Sequence, residues 1–397
     1  MNGDGKRILL LAGEESGVLY ADELTRRLAG CEIRGYRDYG FETHDMAVMG
    51  FVPVLLKIFY FLRLKRTMEK AIDSWRPDLV LTVDYPGMNL KLAAYAHARG
   101  VRTVHVVCPQ VWAWKRGRIP RIEAALDRLC CFLPFEPKLF RPGFAVFVGH
   151  PLASAFADAE STGDGGRMAD GRVKTVALLP GSRKGEIEKI LPVLLEAAVK
   201  LVGEFGDQVR FVIPAATPRA RSQIERTLGD SSFSALRNSL VLRLGGAREL
   251  LRRADCAAVA SGTATLEAAF ARCPTVLVYR MGRNLWWFAR HFLKTRFAGL
   301  ANIVWERCRG GEVVERAGVN RELQSPDQPM PELLQQNCTA GSVYRYLKAY
   351  VEDGEARAEA VRRLDSAMAC LRTGSDPFAN IIDQIRSVGL KIGQSRG

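Results

Sequence analysis

Residues Cys256–Ala260, CAAVA, run directly into Ser261–Glu267, SGTATLE, and then into a helical pattern. A strand-sized apolar run, a turn of small residues and a helix follow one another, the βα unit of a parallel sheet. Such a turn can also hold an anion. The first backbone N–H groups of a helix have no intrahelical partner and lie at the positive end of its dipole, so a diphosphate can dock there. Gly262 permits close approach, Ser261, Thr263 and Thr265 supply hydroxyls, and Glu267, one turn on, can accept from the vicinal hydroxyls of a ribose. Taken alone, the segment equally suits an ordinary capped helix.

A second unit of the same kind lies upstream. Val173–Leu179 is aliphatic and β-branched, and LPGSR (Leu179–Arg183) leads into an amphipathic stretch with Leu191, Leu194, Leu195, Ala198 and Leu201 on one face. Gly181 and Ser182 thus occupy another strand-to-helix turn, and Arg183 projects a guanidinium suited to two phosphate oxygens. The stretch GSRKGE lacks the Gly-Lys-Ser/Thr ending of a Walker loop.

Outward from these turns the same alternation covers the chain. Ile8–Ala12, Leu79–Val83, Thr103–Val107, Leu129–Leu133 and Ala145–Val148 read as buried strands in the first half. Val173–Leu179, Val209–Ile213, Leu240–Leu244, Cys256–Ala260 and Thr275–Tyr279 follow in the second. The reading is α/β, two doubly wound Rossmann-like domains facing across a cleft, with a helical C-terminal tail. A first domain is expected over residues 1–156, a connector at 157–172, a nucleotide-sugar domain at 173–341, and C-terminal helices at 342–397, one of them packing back on the first domain. Length agrees, since 397 residues exceed one ordinary core.

Composition narrows the function. With 48% hydrophobic and 25% charged residues the chain is globular, and its net charge of +14 calls for an anionic partner. No basic stripe with stacked aromatics and no nucleic-acid module is present, so nucleic acid is not the expected partner. The nine cysteines are never spaced C-x-x-C and lie mostly in apolar runs. Reduced cytosolic thiols, no metal site and no cofactor are the expectation.

The first half supplies carboxylates. In LAGEESG (Leu11–Gly17), Glu14 stands where a helix begins, and in TVDYPGMN (Thr82–Asn89), Asp84 leaves a strand at a Pro-Gly turn. Either is placed to take a proton from an acceptor hydroxyl, with Asp84 the first choice. Trp112 and Trp114 sit among Lys115, Arg116, Arg118 and Arg121, a mixture suited to an anionic, partly apolar substrate. His105 and His150 read as core or turn residues. The segment Phe51–Met68 mixes Phe51, Leu55, Phe59, Phe61 and Leu62 with Lys57, Arg63, Lys65 and Arg66. It suits a helix in a membrane interface, with a core-facing helix as the alternative.

In order, LAGEESG, AVMGF, VDYPGMN, VWAWKRGRI, CFLPFEP, FVGHPL, LLPGSRKGEIE, SGTATLEAAFARCPTVLVYRM, Asn302-Ile303 and PELLQ at Pro331 resemble the lipid-A-disaccharide synthases, glycosyltransferase family 19. The resemblance spans nearly the whole chain. It implies a GT-B fold, and an inverting transfer of diacylglucosamine from UDP-diacylglucosamine to diacylglucosamine 1-phosphate (lipid X) at the inner face of the inner membrane. A homo-oligomer is compatible with it. It implies Asp84, Glu14 and Arg183 as catalytic residues. It places Gly181, Ser182, Gly246, Ser261, Gly262, Thr263, Glu267 and Asn302, with Arg183, around the UDP-sugar. The departures are Val18 for a usual Asp, a missing Gly-Gly-Pro-x-Met segment between Gly35 and Asp45, Cys108-Pro-Gln, and extra residues from Arg307 to Gln328. They bear on the acceptor. Another UDP-sugar enzyme of this fold, a polyprenyl-lipid transferase or an epimerase, is the rival reading.

Overall fold

The computed structural model describes residues 5–42, 46, 57–161, 173–310 and 327–392; the side chains of 15–16 and 157–161 are not described. Their backbone contacts divide into two compact units, residues 1–151 with 373–397, and residues 152–372.

The first unit holds strands β1 (Arg7–Ala12), β2 (Glu32–Arg34), β3 (Leu79–Val83), β4 (Arg102–Val106), β5 (Arg128–Cys131) and β6 (Ala145–Phe147). They form one parallel sheet in the order β2-β1-β3-β4-β5-β6. Its helices are α1 (Glu15–Arg27), α2 (Ile58–Trp75), α3 (Pro86–His97) and α4 (Ile119–Ala125). Alternation along β1 explains why the strand has no polar face. Ile8 and Leu10 join a cluster with Leu24 of α1, while Leu9 and Leu11 join one with Leu64 and Met68 of α2 and Leu92 of α3. With each buried aliphatic side chain contributing about 1.5–3 kcal/mol, a sheet covered on both faces selects continuous apolar runs.

The second unit opens with α5 (Pro151–Ser161) and holds β7 (Lys174–Leu179), α6 (Lys184–Phe205), β8 (Val209–Ala215), α7 (Pro218–Leu228) and β9 (Leu240–Leu244). Then come α8 (Ala247–Arg253), β10 (Cys256–Ala260), α9 (Thr263–Phe270), β11 (Thr275–Tyr279), α10 (Arg283–Phe292), α11 (Leu300–Cys308) and β12 (Glu332–Leu334). The sheet is again parallel, in the order β12-β11-β10-β7-β8-β9. Leu191, Leu194, Leu195, Ala198 and Leu201 of α6 are buried against it with Val176 and Leu178. Each sheet therefore reverses strand order once, at β1/β3 and at β7/β10. In open parallel sheets such a switch point opens a crevice at the strands' carboxyl ends.

Helices α12 (Ala340–Glu352) and α13 (Gly354–Met368) pack on the second sheet through Val343, Leu347 and Ala360, and α14 (Pro377–Ser387) packs on the first, through Ile381, Ile382 and Ile385. Two expectations need correction. Residues 157–161 of the supposed connector continue α5, and 162–172 lie outside the described residues. Cys308 and Cys370, expected as thiols, are joined in a disulfide with Cα atoms 6.5 Å apart, because α11 lies beside the end of α13. The edge strands β2 and β12 were not legible as apolar runs.

Candidate active site

The β1/β3 switch point collects the expected carboxylates. Glu14 is the N-cap of α1, directly beyond β1, and Asp84 directly follows β3. Asp84 (φ +50°) and Tyr85 (φ +51°) are successive non-glycine residues in the left-handed region, which costs about 1–3 kcal/mol each. Buried Asn89 holds the turn. Its Nδ2 donates to the carbonyls of Leu11 (3.1 Å), Val83 (3.2 Å) and Asp84 (2.7 Å), and its Oδ1 accepts from the Tyr36 hydroxyl at 2.6 Å. A Cβ at Gly13 would lie 2.4 Å from the Tyr85 ring, so only glycine lets β1 pass so close to this turn.

Burial raises the Asp84 carboxyl above its ordinary range, and the Tyr85 N–H donated to Oδ1 at 2.8 Å partly offsets that. Tyr85 is pushed up to about 12, first by burial and then by the charge of Glu14. A half-buried carboxylate with raised basicity, pinned in a strained turn, is what a general base requires. His105 and His150 are buried and fall to about 3 and about 4, which keeps both neutral. Trp112 is buried and donates from Nε1 to Glu136 at 3.1 Å, so it forms wall, whereas Trp114 lies half exposed under the Lys115 ammonium. The neighbouring β4 and β5 also bring Cys108, Cys131 and Glu136 within 4.8 Å of one another, three buried groups of metal-ligand type that cysteine spacing did not reveal. Burial lifts Glu136 to about 8.

The β7/β10 switch point collects the glycines. Gly181 has φ +101°, and a Cβ there would meet Glu186 Oε2 at 2.6 Å. Gly262 caps α9 at φ +156°, ψ −163°, in a region essentially closed to other residues. Ser182, Arg183, Gly262 and Thr263 are exposed at the starts of α6 and α9. Arg183 is paired with Glu186 at 3.0 Å. The guanidinium is exposed while the Glu186 side chain is largely buried. Glu267 is paired as well, with Arg248 at 3.2 Å. Gly246 (φ +74°) follows β9, two strands from β7, and its carbonyl accepts from Arg243.

Two expected ligand contacts are turned inward instead. Thr265 is fully buried and donates to the Gly262 carbonyl at 2.7 Å, closing the first turn of α9. Asn302 is fully buried too. Its Nδ2 donates to the Met330 carbonyl and to Glu332 Oε1, both at 2.8 Å, and its Oδ1 accepts from the Met330 N–H. Glu332, raised to about 7 by burial, also accepts from the N–H groups of Ala298 and Gly299, and the Ala298 carbonyl accepts from Ser261 Oγ at 3.0 Å. Asn302 and Glu332 therefore hold the loop that holds Ser261. Glu332 escaped the sequence reading; its signal is a lone carboxylate in an apolar run, Glu332-Leu333-Leu334.

The family model for lipid-A-disaccharide synthetase matches residues 8–376. The lipid-A-disaccharide synthase of Chromohalobacter salexigens is 32% identical over 400 residues, covering 96% of this chain and 97% of that one. That of Syntrophus aciditrophicus is 34% identical over 332 residues, covering 79% and 85%. The chain belongs to the lipid-A-disaccharide synthase family. It is a glycosyltransferase of lipid A biosynthesis, and the match covers both switch points. Among solved structures, a UDP co-structure of S. aureus MnaA aligns with a TM-score of 0.59 at 13% identity, over 99% of this chain and all of that one. MurG of Acinetobacter baumannii aligns at 0.55 and 11%, over 96% and 99%. These likenesses show the GT-B fold.

Proposed function

We propose that the protein transfers 2,3-diacylglucosamine from UDP-2,3-diacylglucosamine to the 6-hydroxyl of 2,3-diacylglucosamine 1-phosphate, giving the β(1→6) lipid A disaccharide 1-phosphate and UDP. The acceptor oxygen forms a bond to the anomeric carbon as the bond from that carbon to the diphosphate oxygen breaks, so the configuration inverts. Asp84 takes the acceptor proton. The electron pair leaves on UDP, where Arg183 and the first N–H groups of α6 and α9 stabilise the developing charge. Glu14 raises the negative potential around Tyr85 and is the second candidate for the base.

The strained, half-buried Asp84 at the switch point of the first sheet is the observation that carries this reading. Membrane association follows from the substrate's acyl chains and from α2. Its Ile58, Phe59 and Leu62 are 43, 82 and 44% exposed, whereas Leu64, Met68, Ala71 and Ile72 are buried. Phe61 is half-buried, packing edge-on to Tyr60 and against the core. Phe51 and Leu55 lie outside the described residues. Among the described residues no helix is long and apolar enough to cross a membrane, so we infer a peripheral seat on the inner face of the inner membrane. Purified protein given both lipids should release UDP and a tetraacyl disaccharide 1-phosphate by mass spectrometry. UDP release without disaccharide, or an epimerised UDP-sugar, would overturn the assignment.

A further inference from the structure

Six of the nine large apolar side chains that stand exposed among the described residues lie on two helices, one in each unit: three on α2 and three on α10. Helix α10, RNLWWFARHF, has two apolar sides. Trp286 and Ala289, with Leu293 just beyond the helix, pack toward Leu277 and Leu334. A helix with one covered stripe ordinarily shows polar residues elsewhere. Here Leu285, Trp287 and Phe292 are 57, 59 and 50% exposed. Phe292 stacks on Phe288 at 4.7 Å and lies 6.1 Å from Trp287, which makes the aromatics one patch. Charge is equally lopsided. Arg283, Arg290 and Lys294 lie on or beside α10 with no carboxylate from Arg280 to Trp305, while Arg280 donates to the Cys338 carbonyl and Arg296 pairs with Glu306.

We propose that α10 is a membrane contact of the second unit in its own right, seating Leu285, Trp287 and Phe292 in the interface of an anionic bilayer. This rests on the reading that the acyl-bearing substrates come from a membrane. Aromatic rings with an apolar body and polar edge prefer the headgroup boundary, and flanking arginines meet lipid phosphates. A second copy of the chain fits less well, because a two-fold contact would set the same cations against each other.

The test is co-sedimentation with vesicles of phosphatidylethanolamine and phosphatidylglycerol, comparing wild type, Phe59→Ser and the triple variant Leu285→Ser/Trp287→Ser/Phe292→Ser. The triple variant should keep its UDP affinity and lose vesicle partitioning by on the order of 10- to 100-fold. In the unaltered helix, brominated lipids should quench emission from the wild type more than from Trp287→Phe, which reads the contact without disturbing the fold. Equal partitioning of wild type and triple variant, with loss only in Phe59→Ser, would overturn the inference and leave the proposed function standing. Loss of self-association by light scattering, with partitioning unchanged, would make the patch a dimer face and overturn it too. A wild type that binds no vesicle yet makes disaccharide in detergent micelles would remove the membrane contact without touching the chemistry.

Discussion

The β1/β3 and β7/β10 corners occupy the same place in their sheets and are made of opposite materials. The first forces Asp84 and Tyr85 into left-handed backbone without glycine, buries a hydrogen-bonding hub at Asn89, and holds a carboxyl above its ordinary range. In the second, left-handed and extreme conformations fall to Gly181 and Gly262, and Ser182, Arg183 and Thr263 stay exposed. The contrast follows the chemistry proposed for each. A base gains from desolvation and a rigid seat, whereas a diphosphate needs bare backbone N–H groups and accessible positive charge.

The largest separation between the corners is expected from Asp84→Asn. Asparagine tolerates left-handed backbone and keeps the bond from the Tyr85 N–H, so transfer should fall about 10²- to 10⁴-fold while calorimetric UDP affinity holds. Stability has a definite sign. A carboxyl whose folded pKa is raised costs stability above that pKa, where the folded state holds a poorly solvated charge, so the amide should melt at the same temperature or higher at neutral pH. A large drop in melting temperature would make Asp84 a fold residue.

Gly262→Val should act in the reverse sense. Forcing a β-branched residue to φ +156° costs about 1–3 kcal/mol, so UDP affinity should fall about 5- to 150-fold, in step with turnover. An unchanged titration would remove the α9 turn from the site. Smaller still is the distinction at Arg183, where Arg183→Ala should slow transfer more than Arg183→Lys, since lysine keeps charge and loses the fork. Equal losses would reduce it to a point charge. Glu267→Ala should weaken UDP binding several-fold, by roughly 1 kcal/mol for a lost hydrogen bond, and its pairing with Arg248 makes Arg248→Ala the control.

Much of this frame was written in the chain. All ten apolar runs became strands; most lie where a sheet covered on both faces has no solvated side to demand polar residues, while the edge strand β9 leaves Val241 and Leu244 exposed. The two that escaped, β2 and β12, are three-residue edge strands, one half exposed and one carrying a buried glutamate. Strand, turn and helix put Asp84, Gly181 and Gly262 at carboxyl ends of strands. What could not be read was direction: that Thr265 and Asn302 turn inward, that Arg183 and Glu267 already hold partners, and that Cys308 meets Cys370. Those outcomes depend on neighbours distant in sequence and on which side of a helix turn faces the core.

The most direct test of a base in one unit and a nucleotide site in the other is the pH profile of kcat/KM, run beside UDP affinity on wild type and Asp84→Asn. The base must be deprotonated, so wild-type transfer should rise with pH through a limb lying above the ordinary aspartate range, with UDP affinity flat across it. In Asp84→Asn the limb should vanish from the residual rate. A limb that persists unchanged in Asp84→Asn, or a UDP affinity that follows the same limb, would contradict the account.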